Sequence, residues 1–68
     1  MTRKPSPQQL DVLRALVEGR DPFAGLAVNA RIGRERTVYA CQRYGWIEWS
    51  HVPPRITDAG RAIVEAYR

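Results

Sequence analysis

Residues 33–57 read GRERTVYACQRYGWIEWSHVPPRIT, and this stretch decides the fold. Val38 and Cys41 fall on one side of a 3.6-residue period while Arg34, Arg36 and Arg43 fall around the rest, which predicts an amphipathic helix from about Arg34 to Tyr44. Gly45 is a natural C-terminal stop for it. Trp46 to Trp49 is aromatic and β-branched, and Arg55 to Thr57 can pair with it, so a short hairpin is expected next. Pro53 and Pro54 cannot donate to a ladder, which places them in the tip or at its edge.

Upstream, Ser6, Pro7 and Gln9 form a helix-start signature of cap, first-position proline and capping-box partner. Leu10, Leu13, Leu16 and Val17 then mark one apolar stripe, and Gly19 ends the helix. Asp21 and Pro22 repeat the cap-then-proline pattern, and Phe23, Leu26, Ala27 and Ala30 predict a second helix of about two turns, with Ile32 and Gly33 as a tight turn after it. Downstream, Asp58 is expected to cap a last helix, with Thr57 also reading as a capping group, and the expected inner stripe is Ala59, Ala62, Ile63 and Ala66, with Tyr67 beside it. Residues 1–5 are polar and basic and read as a flexible arm, leaving 6–68 as one domain.

With 68 residues the chain suffices for one small domain, which buries only about 60% of the surface of its extended form. A thin core of this kind leaves a homodimer open. Apolar residues at 44% and charged residues at 26% make an ordinary globular mixture. Eleven Lys and Arg oppose seven Asp and Glu, for a net charge of +4, and the pI near 10.0 favours an anionic partner. Ten of the eleven are arginine, whose planar fork grips phosphate or guanine edges, although a GC-rich genome also enriches arginine. Cys41 is the single cysteine, so no internal disulfide can form and a reducing compartment is expected. No apolar run reaches membrane-spanning length and no leader pattern is present, so the expectation is a cytoplasmic protein without a membrane partner.

TVYACQRYGWIEW, a short tip and RITDAGRAIVEAYR together resemble the winged helix-turn-helix domains of MarR- and PadR-type bacterial regulators. Thr37 and Val38 match the pair early in their reader helix, Gly45 its closing glycine, and Thr57 to Arg61 the Thr-Asp-Ala-Gly-Arg box that opens the next helix. The resemblance implies a fold that is mainly α with a small β-hairpin, in the order helix, helix, helix, strand, wing, strand, helix. It departs at the turn, where Gly33 is followed by Arg34 and Thr37-Val38 arrives about one residue early. The long dimerisation helices of those regulators have no counterpart, so only the DNA-binding module is implied.

On that reading the chain is a sequence-specific, double-stranded DNA-binding protein, a small bacterial or phage transcriptional regulator or repressor. Arg31, Arg34, Arg36 and Arg43, opposed by Glu35 alone, place a net +3 within thirteen residues. With Thr37, Tyr39 and Gln42 they are the expected contacts of the third helix and its turn with bases and phosphates. Arg55 and His51 would serve the wing, and Arg3 and Lys4 the arm. The bland reading of such a run is a solvated charged face. His51 reads more simply as an exposed loop histidine, having no partner at ligand spacing for a metal, and Cys41 as a small core residue without an activating base. No phosphate loop or paired-carboxylate constellation appears, so neither enzyme activity, cofactor nor small-molecule ligand is expected. Two rivals stay open: a winged-helix protein-interaction module, for example a phage protein that binds a host factor through exposed Trp49, Tyr44 and Tyr67, and an excisionase-like architectural DNA-binding protein.

Overall fold

The computed structural model describes residues 4–50 and 53–67. Its elements are α1 (Pro7–Val17), α2 (Val28–Arg43), β1 (Ile47–Glu48), β2 (Arg55–Ile56) and α3 (Asp58–Ala66). The strands pair antiparallel with Ile47 opposite Ile56 and Glu48 opposite Arg55. The chain is therefore mainly helical with a small hairpin, as expected, but it has three helices among the described residues where four were expected.

α1 starts as its sequence dictates. Ser6 Oγ accepts from the Gln9 backbone N–H at 3.2 Å, and Gln9 Oε1 accepts from the Ser6 N–H at 2.9 Å, which closes the capping box. The helix ends on Gly19 at φ +76°, where the Gly19 and Arg20 N–H groups donate to the Leu16 and Ala15 carbonyls. That pair of bonds satisfies two carbonyls the helix leaves free, and only glycine takes the left-handed conformation without strain.

The expected second helix is absent, and the reason is local. Asp21 Oδ1 accepts from the Phe23 N–H at 2.9 Å, and the Ala24 N–H donates to the Asp21 carbonyl. Asp21 thus folds its own following residues into a turn, an option that the same Asp-Pro pair offers as readily as a helix cap. Gly25 then adopts φ +74°, and the Leu26 N–H closes on the Phe23 carbonyl. Two consecutive turns leave no room for a helical run before Val28.

Nor is there a turn at Ile32 and Gly33. Both lie inside α2, a continuous helix of 16 residues, about 24 Å long at 1.5 Å per residue. Glycine inside a helix costs about 1 kcal/mol relative to alanine, and a helix of this length docked on a core absorbs it. α2 closes on Gly45 (φ +80°), with the Gly45 N–H on the Gln42 carbonyl and the Trp46 N–H on that of Cys41.

The core gathers Val12, Leu13, Val38, Cys41, Trp46, Ile47, Ile63 and Val64, with Leu10, Leu16, Phe23, Tyr44, Trp49, Ile56 and Tyr67 against it. Val38 and Cys41 face inward as their spacing predicts, and burial pushes the Cys41 thiol up to about 11, so it stays neutral at ordinary pH. Two stripes are rotated from expectation. α1 meets α2 on one side and α3 with the hairpin on the other, which buries Val12, Leu13 and Ala15 and leaves Val17 at the surface. In α3 the inward residues are Gly60, Ile63 and Val64, while Ala59, Ala62 and Ala66 are exposed.

Gly60 explains that second rotation. A Cβ at this position would collide with the Trp46 carbonyl oxygen and stand 2.7 Å from Ile56 Cγ1, so α3 sits on the hairpin through a residue without a side chain. Thr57 caps α3 by accepting from the Gly60 N–H at 3.1 Å and donates its hydroxyl to the Gly45 carbonyl at 2.6 Å. The Thr57 N–H donates to the Trp46 carbonyl at 2.9 Å. Arg14 Nη2 then ties α1 to the Tyr67 carbonyl at the far end of α3, at 2.8 Å, where the helix dipole favours a cation.

Candidate nucleic-acid interface

α2 shows its core side through Val38 and Cys41 and its outer side through Val28, Ile32, Arg36, Tyr39 and Arg43. Those five recur at intervals of three and four residues, so they form one stripe along the helix. Val28, Ile32 and Tyr39 are 74%, 52% and 60% exposed, which makes this the most apolar open surface of the described residues. Arg36 and Arg43, seven apart, share its line. Arg31, five residues before Arg36, lies about 140° around the helix from it.

The four arginines of this segment therefore divide. Arg31, Arg36 and Arg43 are exposed, and none forms an ion pair among the described residues. Arg34 is half-buried and turned to α1, its Nη1 3.5 Å from the Gln8 carbonyl, a weak bond at most. Thr37 is half-buried too and gives its hydroxyl to the Gly33 carbonyl at 3.2 Å, one turn back along its own helix. Gln42 is exposed. Arg43 has a structural use as well, since a cation in the last turn complements the helix dipole by a few tenths of a kcal/mol. Arg36, mid-helix, has none.

Arg55 is exposed on β2, with Glu48 as its cross-strand neighbour, though Glu48 accepts from Ser50 Oγ at 2.8 Å. Lys4 is exposed. His51 and Arg3 lie outside the described residues.

A row of aromatic side chains, not anticipated from the sequence, fastens the hairpin to α2. The Trp49 ring, just beyond β1, lies 4.7 Å from that of Tyr39 and 5.8 Å from that of Phe23, and the Arg31 guanidinium carbon stands 6.0 Å from the Phe23 ring centroid. Such pairs contribute about 0.5–1.5 kcal/mol each beyond their buried area. Phe23 comes from the double turn that replaces the expected helix, so that turn delivers the far end of the row. No spacing signal joins residues 23, 39 and 49, because the contact exists only after the chain has folded.

Around Tyr39 the outer surface of α2 carries a shallow, open groove lined by Arg36, Tyr39, Ala40, Gln42, Arg43 and Tyr44. Its chemistry is cationic at two points and aromatic at two more. A second cleft of about 550 Å³ runs between the start of α1 and the other flank of α2, lined in part by Gln8, Gln9, Arg34 and Arg36. Among the described residues no three His, Cys, Asp or Glu side chains converge to hold a metal, and no helix is long and apolar enough to cross a membrane. Comparison of the chain with protein-family models, with curated proteins and with solved structures gives no significant match in any of the three.

Proposed function

We propose that the chain binds double-stranded DNA as a three-helix form of the winged helix, with α2 as the reader in the major groove and the β1–β2 hairpin as the wing. The observation that carries this reading is the set of exposed guanidinium groups at Arg31, Arg36 and Arg43, without acidic partners among the described residues, together with exposed Arg55 on a hairpin that Trp49 fastens to the same helix. Stability does not account for Arg36, because surface charges away from caps and ion pairs change folding energy by less than about 0.5 kcal/mol, and it accounts only in part for Arg31, which stands over the Phe23 ring, and Arg43, which complements the helix dipole. A major groove about 12 Å wide admits one α-helix. Arg36, Gln42 and Arg43 suit base edges or phosphates, Arg31 and Arg55 suit phosphates, and Tyr39 and Ile32 suit apolar contact with a thymine methyl. A small transcriptional regulator, which the resemblance implies, uses a module of this kind.

Selection from a random duplex library tests the proposal. An enriched motif whose binding falls on Arg36→Ala supports it, and a palindromic motif would add a dimer. Failure to enrich any duplex, even at low salt, counts against it. One observation favours a different reading: Val28, Ile32 and Tyr39 expose a contiguous apolar stripe of the kind that protein partners cover. A stoichiometric protein recovered from nuclease-treated lysate and lost on Ile32→Asp would support that adaptor role.

A further inference from the structure

The shallow groove around Tyr39 has a chemistry that paired DNA does not fully use. Tyr39 is 60% exposed, yet the Trp49 ring packs against it at 4.7 Å with the two planes tilted by 52°, which restrains the Tyr39 ring and leaves the rest of its surface open. Arg36, three residues before Tyr39, and Arg43, four after it, flank the ring along the helix and line the same groove. An anchored, open aromatic ring between two unpaired guanidinium groups is the arrangement that takes a flat base together with the phosphates on either side of it. In an intact duplex each base face is covered by its neighbours, and only edges reach a side chain.

We infer that this groove holds one unpaired nucleotide of a DNA strand, its base stacked on Tyr39 and its flanking phosphates at Arg36 and Arg43. The inference rests on the proposed DNA-binding reading and narrows its target to duplex interrupted by an unpaired base. Gln42, which also lines the groove, supplies an amide for the edge of the base.

Three DNA probes test this against the full chain, read by Trp fluorescence and by mobility shift: a blunt duplex of about 20 base pairs, the same duplex with a single unpaired thymidine, and the corresponding single strand. The expected result is binding of the bulged duplex on the order of tenfold tighter than the blunt one, from stacking on an exposed aromatic. Tyr39→Leu should remove that preference, and Tyr39→Phe, which keeps the ring and its contact with Trp49, should retain it. Circular dichroism melting of both variants separates loss of stacking from loss of fold. Equal binding of bulged and blunt duplexes, or a preference that survives Tyr39→Leu, overturns the inference and leaves the duplex-binding proposal standing, whereas tighter binding of the single strand than of either duplex overturns both. Absence of binding to all three probes overturns both.

Discussion

Where α3 meets the hairpin, Thr57 caps one helix while donating to the carbonyl that ends another, and Gly60 rests against the Trp46 carbonyl with no space for a methyl group. On the outer face of α2, Arg36 and Arg43 have no acidic partner among the described residues, and Val28 and Ile32 stand in solvent. The first region is accounted for by folding alone. Every polar group described there has a named bond, and each residue type follows from the contact it makes. The second gains the fold almost nothing, and that contrast is what separates the structural part of the sequence from the part that awaits a partner.

The sharpest way to break the contrast is at Gly60. Gly60→Ala forces a Cβ into the Trp46 carbonyl and Ile56, and overpacking of a junction with backbone on one side should cost about 3 kcal/mol, a large share of the stability of a domain this small. Urea unfolding measures it, and a cost below about 1 kcal/mol would mean that α3 is not seated as described. Thr57→Ala comes next, at about 1–2 kcal/mol for a lost cap and a lost bond to Gly45. Thr57→Ser keeps both oxygen contacts and should recover most of the difference.

Gly33 has the opposite sign. It lies inside α2 without a left-handed backbone, and a Cβ there meets nothing within 4 Å, so Gly33→Ala should stabilise the domain by about 0.5–1 kcal/mol. Thermal melting would show a rise of several degrees. A fall would restore the turn that the sequence suggests at this point and break α2 into two helices. The smallest stability effects belong to the outer face: Arg36→Ala should change unfolding energy by less than about 0.5 kcal/mol, and so should Arg43→Ala apart from a small helix-dipole term. Each should nonetheless reduce the steepness of the salt dependence of DNA binding by about 0.9.

Local signals were legible in the sequence and distant contacts were not. The capping box at Ser6 and Gln9, the helix stops at Gly19 and Gly45, the hairpin and the Thr57 cap each depend on residues a few positions apart, and all are present. Asp21-Pro22 misled because an aspartate that can cap a helix can equally bond the N–H two residues on, and Gly25 settles the choice. The start of α2 carried no signal, since Ala27 occupies the cap position with no side-chain bond to offer. The inward faces of α1 and α3 are set by partners elsewhere in the chain, Gly60 against Trp46 above all.

The candidate surface divides in the same way. Helical spacing placed Arg36, Tyr39, Gln42 and Arg43 outward, and they are. Arg34 was grouped with them, although its position near Val38 and Cys41 on the helical period turns it to α1. The rival protein-interaction reading needs Trp49 exposed, whereas its ring is half-buried and packs against those of Phe23 and Tyr39.

The most direct test of the central claim, that the unpaired arginines of α2 and the hairpin face a polyanion, is the salt dependence of duplex binding by the unaltered chain. If Arg31, Arg36, Arg43 and Arg55 each neutralise one phosphate, the logarithm of the association constant should fall against the logarithm of salt concentration with a slope of about −3.6. A slope shallower than about −1, or no complex at low salt, would contradict the account.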